Sequence, residues 1–394
     1  MTERRNLLLL CCSLVVGVSL FEVVVRASPF DYNLSPNWRY QPILGWSQVP
    51  SASYDFTLNG RAVHVSFNAL GFRDREHQHR KPKGVKRVVV IGDSFCEAVQ
   101  VNYEETFQQQ LEKLLNQDGS EHWEVINLGV GDFGTAQEYI ALREYGLAFD
   151  PDVVIQEVFP LNDICNNAIG MYDMCRSNND LYRPYFVESH GQLQQTSSYP
   201  VAAYLRRHLV TYHVLEYWLL RLLSPNPQRP DDRGRAAYLR RNGFPTLDPL
   251  LFTYVADSSQ QPRVVAEGWH ITERLLEETV RMTRQRGIAY LAFVVPFEVQ
   301  LGPKWEWFAS QQPPPRMDRY YPERRLSLVF KRLGVPSVML MDALQPYSSE
   351  VLPYIDGHLS PAGHRRTAEA LYGTLVASGI AGQQPRGTPV SHHS

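Results

Sequence analysis

A run of branched apolar residues, Val88-Val89-Val90-Ile91, follows Arg87 and ends abruptly at Gly92. A strand that is apolar on both faces is typical of the centre of a parallel sheet, where helices cover both sides. Similar runs alternate with helical patterns, which predicts right-handed βαβ units and an α/β fold. The predicted strands are 87–91, 123–128, 152–159, 288–295 and 337–341, and the predicted helices are 104–116, 135–145, 271–285, 322–333 and 361–376.

The bulk composition is that of a globular protein. Of 394 residues, 44% are hydrophobic and 20% are charged, and this length suffices for one large domain or two ordinary ones. The formal net charge of −2 provides no general attraction to nucleic acid, and no basic nucleic-acid-reading motif stands out. We therefore expect no nucleic-acid partner.

The N-terminus carries a candidate membrane segment. Arg4 and Arg5 precede an apolar run over 7–25, in which Glu22 is the acidic interruption. A positive flank before such a run predicts a signal-anchor or an uncleaved signal sequence, with the rest of the chain outside the cytoplasm. Two alternatives stay open: a buried core helix, and cleavage near residues 25–27 that would release a secreted protein.

We expect four regions along the chain. Residues 1–27 form the anchor or signal segment, and residues 28–84 form a lead-in with short β elements, of which 61–65 is one. Residues 85–380 form the main domain, interrupted around 166–267 by a helical insertion. The last residues, 381–394, are rich in Gly, Gln, Pro, Ser and His and are expected to be a disordered tail.

Within the insertion, residues 201–223 show apolar side chains at helical spacing. The simplest interpretation is core packing, and the alternatives are a cap over a site or a surface that touches the membrane. The residues that carry the pattern are Tyr204, Leu205, Leu209, Tyr212, Leu215 and Leu219.

Three segments follow predicted strands at the sheet edge where ligands usually bind. Gly92-Asp93-Ser94-Phe95 follows the first strand and places a hydroxyl at a tight turn, near backbone N–H groups that can stabilise an oxyanion. It is not the G-x-S-x-G elbow, because Glu97 and Ala98 follow in place of any glycine. The second segment is 127–134, which is rich in glycine. The third contains Asn162-Asp163, whose amide can donate to a developing oxyanion.

A fourth segment lies before the last helix and contains Asp356-Gly357-His358. An imidazole at His358 can accept the proton of Ser94, and Asp356 can orient the ring and stabilise its charged form. In an extended chain, side chains two residues apart face the same way, so both could point to one site. A metal site at His358 and His364 is not expected, since no Cys or carboxylate cluster would complete it. We predict no metal and no cofactor.

In these four segments the sequence resembles the SGNH (GDSL) hydrolases, over about residues 87–373. The lead-in residues 68–73, Asn-Ala-Leu-Gly-Phe-Arg, resemble bacterial membrane-tethered members, which often modify cell-surface glycans. The resemblance implies a three-layer α/β/α sandwich with a mainly parallel, flavodoxin-like sheet. It also implies a triad of Ser94, His358 and Asp356, with an oxyanion hole from the Ser94 N–H, a glycine N–H of the second segment and Asn162.

The sequence departs from the family pattern at two places. Asp132 stands where the family has its oxyanion glycine, and Gly131 lies just before it, so either backbone N–H could be the donor. A carboxylate at Asp132 would oppose an oxyanion if it pointed inward. The acid and base are spaced Asp-x-His, where Asp-x-x-His is commoner, and the resemblance implies that the tethered branch accepts the shorter spacing.

The leading hypothesis is ester hydrolysis or acyl transfer through an acyl-Ser94 intermediate, on O-acyl groups of cell-surface glycans. The motifs do not separate hydrolysis from transfer, because both reactions need the same nucleophile, base and oxyanion donors. A catalytically silent, anchored glycan-binding or assembly protein is an alternative that Asp132 keeps open. A lysophospholipase or lipase is another, and it would need an apolar groove under 201–223. The oligomeric state is not predicted.

Several of these residues also have simpler interpretations. Ser94, Asn162 and Asp356 could each be a cap or turn residue. Arg73 could hold an anionic substrate, although a structural salt bridge is the simpler hypothesis. Cys165 and Cys175 are close enough in sequence to form a disulfide in an oxidising compartment, and Cys96 is expected to be a small buried side chain.

Overall fold

A computed structural model gives the fold. It describes residues 2–27, 38–117, 119, 121–171, 183–196, 201, 204–205, 209–212, 214–215, 218, 249–302, 304–312, 315–347, 354–355 and 357–382. Asp356, Cys175 and the expected tail beyond residue 382 lie outside this part of the chain.

The centre of the molecule is a five-stranded sheet in which every pair of neighbours is parallel. Its strands are β5 (Val85–Ile91), β6 (His122–Asn127), β7 (Val153–Val158), β10 (Ala289–Val294) and β11 (Ser337–Met339). The spatial order is β11-β10-β7-β5-β6. Counted along the chain this is the order 2-1-3-4-5 of flavodoxin-like sheets, so the predicted topology is confirmed.

The other described strands form antiparallel pairs outside the main sheet. They are β1 (Trp38–Gln41) with β2 (Gly45–Gln48), β3 (Ser53–Leu58) with β4 (Arg61–Ser66), β8 (Tyr185–Ser189) with β9 (Gln192–Thr196), and β12 (Tyr354–Ile355) with β13 (His358–Leu359).

Helices cover both faces of the sheet, which makes the three layers of the sandwich. The described helices are α1 (Thr2–Ala27), α2 (Ser94–Glu97), α3 (Phe107–Leu115), α4 (Thr135–Glu144), α5 (Pro160–Asn167), α6 (Arg263–Arg284), α7 (Lys304–Ser310), α8 (Tyr321–Leu333), α9 (Leu340–Leu344) and α10 (Pro361–Ala377). Short 3₁₀ turns lie at Tyr103–Glu105, Gly146–Phe149, Ile169–Met171, Pro249–Tyr254, Ser258–Gln260, Glu298–Gln300 and Gln345–Tyr347.

Alternation along β5 divides the core into two halves. Val89 and Ile91 belong to the cluster that includes α4, α6 and α8. Val88 and Val90 belong to the cluster that includes α3, α9 and α10. All four side chains are fully buried, as expected for a strand with helices on both faces. The apolar run at 87–91 therefore predicted the central position of β5 correctly.

Two predicted element boundaries were wrong. Helix α6 begins at Arg263 rather than near 271, and Val265 and Trp269 in its first turns are buried in the core. Strand β11 ends at Met339, and Leu340 and Met341 begin α9 instead of continuing the strand. A short apolar run fits either a strand or a helix, because its periodicity cannot distinguish them.

Part of the insertion lies within the described residues. Val214 and Thr211 are buried, whereas Tyr204 and Leu215 are exposed, so core packing was the wrong prediction for these two. Leu219 lies outside the described residues. Cys165 is disulfide-bonded, and its expected partner, Cys175, lies outside the described residues; Cys11, Cys12 and Cys96 are free thiols.

Helix α1 contains the candidate membrane segment. Its residues Arg4–Ala27 are long and apolar enough to cross a membrane, and little of this surface packs against the rest of the protein. By length and composition alone, a signal sequence fits these residues equally well.

Candidate active site

Ser94 is the first residue of α2, directly after the tight turn at the carboxyl end of β5. The Asp93 carboxylate accepts a hydrogen bond from the Phe95 N–H at 2.8 Å and so caps the short helix. A side chain at Gly92 would lie 2.3 Å from the Cys96 Sγ and 2.6 Å from a Glu157 oxygen. Only glycine therefore fits before the nucleophile candidate, and the tight turn presents the Ser94 hydroxyl at the edge of the sheet.

His358 reaches this hydroxyl from the other end of the sequence. The distance between His358 Nε2 and Ser94 Oγ is 2.9 Å, which is a hydrogen bond. The imidazole also packs against Phe95, with the ring centroids 5.1 Å apart. The sequence prediction that these two residues lie together agrees with this geometry.

The chain around His358 has a different shape from the one expected. Ile355 pairs with His358 across an antiparallel hairpin, and Gly357 has a φ of +73°. The chain thus reverses between Ile355 and His358, and the extended conformation that was expected there was wrong. Asp356, the expected third member of the triad, lies outside the described residues.

Of the three backbone N–H groups that are candidate oxyanion donors, those of Ser94, Gly131 and Asp132, one already has an acceptor in the protein. The Gly131 N–H donates to the buried Glu97 carboxylate. Within the described part of the chain, the N–H groups of Ser94 and Asp132 make no hydrogen bond. Of the two candidates in the glycine-rich segment, Asp132 therefore has the available N–H.

The Asp132 side chain is held by an ion pair. Arg183 Nη2 lies 3.1 Å from the carboxylate, and Arg183 Nη1 donates to the Asp132 carbonyl at 2.9 Å. Arg183 is itself buried, with its guanidinium 4.8 Å from the centroid of the Trp46 ring. The negative charge that would oppose an oxyanion is thus compensated by a buried cation.

Asn162 is the third expected donor, and it lies at the start of α5, after β7. Its Nδ2 donates one hydrogen bond to Asp93 Oδ2 at 2.5 Å. Since an amide nitrogen carries two hydrogens, the second remains for another acceptor. The bond to Asp93 fixes the amide beside the residue that precedes Ser94.

A group of buried carboxyls lies beneath the site. Glu157, on β7, accepts the Asp93 N–H at 2.8 Å. Asp163 accepts from the Phe159 N–H at 2.7 Å and from the Thr135 N–H at 2.8 Å, so it ties the Asn162 loop to α4. Burial raises the pKa values of Asp93, Glu138 and Glu157, and raises the pKa of Asp163 to about 8. Burial thus favours the neutral, protonated form of these side chains relative to exposed carboxylates.

The lead-in supports the site directly. Gln48 Nε2 donates to Glu97 Oε1 at 2.5 Å, and burial raises the pKa of Glu97 to about 7. Trp46 Nε1 donates to the Gly131 carbonyl at 3.1 Å. Both segments that carry the candidate backbone donors are thus held by the two-stranded unit that precedes the main domain.

Arg73 acts on the same turn from within the protein. Its guanidinium donates to the carbonyl oxygens of Glu97, at 3.0 Å, and of Ala98 and Val101. Burial lowers the pKa of Arg73 to about 10. It is not available to an anionic substrate, and the salt bridge expected for it was wrong, because carbonyl oxygens accept its hydrogen bonds.

His364 is buried within α10 and serves as an acceptor. Its Nδ1 accepts the Phe107 N–H at 3.2 Å, and burial lowers its pKa to about 3. Among the residues that the structure describes, no group of three His, Cys, Asp or Glu side chains is arranged to hold a metal ion.

The sequence did not predict the residues that support Ser94. Glu157 could have been noticed, because Gln156 and Glu157 are polar residues in a strand that is buried on both faces. Such residues need polar partners inside the protein. Gln48 and Arg183 carry no comparable sequence signal, since they come from distant parts of the chain.

The chain is similar to several solved structures of esterases. An acetyl xylan esterase, AlAXEase, matches with a TM-score of 0.37 and 12% identity over 74% of this chain and 100% of its own. A putative lipolytic protein of the G-D-S-L family from Desulfitobacterium hafniense DCB-2 matches with a TM-score of 0.35 and 12% identity over 74% and 99%.

A catalytic mutant of Axe2, an acetylxylan esterase from Geobacillus stearothermophilus, matches with a TM-score of 0.38 and 12% identity over 74% of this chain and 94% of its own. No protein-family model matches the chain, and no curated protein is significantly similar to it. At these identities and TM-scores, the proposed function rests on the geometry of the site.

Proposed function

We propose that this chain is an extracytoplasmic, serine-dependent ester hydrolase or O-acyltransferase of the SGNH (GDSL) type. The observation that carries the proposal is the hydrogen bond of 2.9 Å between Ser94 Oγ and His358 Nε2. A nucleophile and a base within hydrogen-bond distance, beside open backbone donors, are the parts that acyl transfer requires.

The first half-reaction forms an acyl-enzyme. Ser94 Oγ attacks the ester carbonyl as its proton passes to His358 Nε2, and the carbonyl oxygen becomes an oxyanion. The N–H groups of Ser94 and Asp132 and the second amide hydrogen of Asn162 stabilise that charge. The tetrahedral intermediate then expels the alcohol, which takes the proton from His358, and leaves the acyl group on Ser94.

The second half-reaction returns the enzyme to its starting state. Water or a sugar hydroxyl gives its proton to His358 and attacks the acyl-Ser94 carbonyl, and Ser94 leaves with that proton. Asp356 is assigned the role of orienting the imidazole and stabilising its charged form. Water as acceptor makes the protein an esterase, and a sugar hydroxyl makes it a transferase.

The substrate that we assign is an O-acylated cell-surface glycan. It is supported by the resemblance of residues 68–73 to membrane-tethered family members and by the apolar segment at the N-terminus. In this proposal residues 1–27 anchor the protein and 28–84 are the lead-in. Residues 85–380 are the catalytic domain, with the insertion at 166–267, and 381–394 are a tail.

The catalytically silent alternative depended on Asp132. Pairing of its carboxylate with Arg183, and the available Asp132 N–H, favour an active site instead.

Hydrolysis of p-nitrophenyl acetate tests the proposal. We expect Ser94→Ala to lower kcat by roughly 10⁴- to 10⁶-fold, because the nucleophile is lost. Ser53→Ala, at an exposed serine on β3, is the matched control and should retain the wild-type rate. Equal rates for wild type and Ser94→Ala would refute the esterase mechanism. A rate that rises steeply with acyl chain length would favour a lipase over a glycan esterase.

A further inference from the structure

The insertion contacts α1 near the C-terminal end of that helix. The Glu22 carboxylate accepts hydrogen bonds from the backbone N–H groups of Val210, at 2.8 Å, and Thr211, at 2.7 Å. Glu22 also forms an ion pair with Arg26 at 2.7 Å. Glu22 lies inside the apolar segment Arg4–Ala27, so these bonds hold part of the insertion against the segment that is able to cross a membrane.

The position of Glu22 sets the depth of this contact. Glu22 precedes the end of α1 at Ala27 by five residues, which corresponds to about 7–8 Å of helix. The polar interface on each side of a bilayer is about 5–8 Å thick. When α1 crosses the bilayer, residues 210–211 therefore lie beside the outer end of the membrane-spanning segment rather than in free solution.

The described residues on either side of this contact expose large apolar side chains. Leu215 is 60% exposed, and Val201, Tyr204 and Trp218 are also exposed. Val214, next to Leu215, is buried, so at these two described positions one side chain faces the protein and the next faces outward. Trp and Tyr together with aliphatic residues are typical of a surface that lies in the membrane interface.

We propose that Val201, Tyr204, Leu215 and Trp218 form a docking surface for the outer leaflet of the bilayer that α1 crosses. The occupant is lipid because the hydrogen bonds of Glu22 place Val210 and Thr211 beside the outer end of the spanning helix. The protein would thus contact the membrane at two places, through the anchor and through the insertion. This inference does not depend on the chemistry at Ser94, and it rests on α1 being a membrane anchor.

Quenching of a fluorescent probe by nitroxide-labelled lipids tests the proposal with the full chain in phosphatidylcholine nanodiscs. A dansyl amino acid replaces one residue at a time, at Leu215, at Val15 within α1, or at Leu328 on α8. All three are apolar and similarly exposed, at 60%, 65% and 69%. We expect quenching and blue-shifted emission at positions 215 and 15, and neither at position 328.

The Glu22→Ala variant supplies a second readout. It removes the two carboxylate oxygens that accept the hydrogen bonds of the Val210 and Thr211 N–H groups. It should weaken the quenching at position 215 and leave that at position 15 unchanged. The proposal is overturned if position 215 behaves like position 328 while position 15 is quenched. It is also overturned if position 15 is not quenched, since α1 would then lie outside the bilayer. Neither outcome affects the esterase assay, so failure of one proposal is distinguishable from failure of the other.

Discussion

Asp132 adopts a backbone conformation that few side chains tolerate, with a φ of +64°. Aspartate is among the residues that enter this left-handed region most readily, and glycine enters it freely. The side chain is then used to hold Arg183. At this position the chain keeps the backbone geometry of a glycine while it gains an ion pair that glycine could not form.

The Asp132→Gly variant separates the role of the backbone conformation at this position from the role of the ion pair with Arg183. We expect kcat for p-nitrophenyl acetate to remain close to wild type, because the backbone N–H and its conformation persist. The free energy of unfolding should fall by about 1–3 kcal/mol, since buried Arg183 loses its charged partner. Urea unfolding and steady-state kinetics on one preparation measure both quantities. A large loss of kcat with unchanged stability would show that the carboxylate takes part in the reaction.

Glu157 offers a second test at the level of single residues. Glu157→Gln retains an oxygen that can accept the Asp93 N–H, so the turn before Ser94 should be preserved and kcat should change little. Glu157→Ala leaves that N–H unpaired in the interior, and a loss of about 1–3 kcal/mol in stability is expected. Thermal unfolding and kinetics of the pair provide the measurement. Equal effects of both substitutions would contradict a hydrogen-bonding role.

Residue by residue, the sequence predicted that Ser94 and His358 lie together, but it did not predict the residues that support them. Ser94 and His358 were identifiable because the proposed acyl transfer needs particular residue types at strand ends, in an order that a family shares. Glu157, Glu97 and Arg183 were not predicted, because their roles depend on burial and on contacts between segments far apart in the sequence. The preference for Asp132 over Gly131 as the candidate donor rests on the bond from the Gly131 N–H to Glu97, which the sequence does not show.

At the level of elements, the antiparallel lead-in and the main domain form one structure around Glu97. Gln48 on β2 and Gly131 in the loop after β6 both donate to this carboxyl on α2. Helix α2 begins at Ser94, so the lead-in helps to fix the position of the nucleophile candidate. Removal of the lead-in is therefore expected to disturb the site, and not merely to shorten the distance from the membrane.

The raised pKa of Glu97 predicts a dependence of stability on pH. Its pKa is about 7 in the folded protein and 4.5 is its ordinary value, so the folded state binds the proton more tightly. The contribution is fully present below pH 4.5 and is lost as the pH rises through 7. The loss is at most about 1.4 kcal/mol per pH unit for one group. Other buried carboxyls, such as Glu323, add to the same trend.

Glu97→Gln should therefore make the free energy of unfolding fall less steeply between pH 4.5 and 7 than in the wild type. Urea unfolding at pH 5, 6 and 7 provides the measurement. Glu104→Gln, at an exposed residue, is the control and should keep the wild-type slope. An unchanged slope in Glu97→Gln would mean that this carboxyl is ionised throughout the range.

The sequence predicted which elements exist more reliably than where they end. Strand β5 and helix α10 were predicted almost to the residue, because a branched run bounded by glycine and a Ser-Pro cap are local signals. The hairpin around His358 was missed, since two-residue strands carry little periodicity. The boundary between β11 and α9 was missed because packing, not local sequence, decides how that apolar run folds.

At the level of the whole molecule, topology brings Ser94 and Asn162 together. Strands β5 and β7 are neighbours although β6 lies between them in sequence, and the strand order reverses at this point. Loops at such a switch point diverge and leave a crevice at the carboxyl ends of the strands. The sequence predicted the parallel sheet from its alternation, and the strand order followed only from the family resemblance.

The central claim is that Ser94 is a nucleophile activated by His358. Reaction with a fluorophosphonate, followed by intact-protein and peptide mass spectrometry, tests it most directly. We predict one adduct per chain, located at residue 94, with no adduct in Ser94→Ala and a much slower reaction in His358→Gln. An adduct at another residue, or one that forms at the wild-type rate in His358→Gln, would contradict the claim.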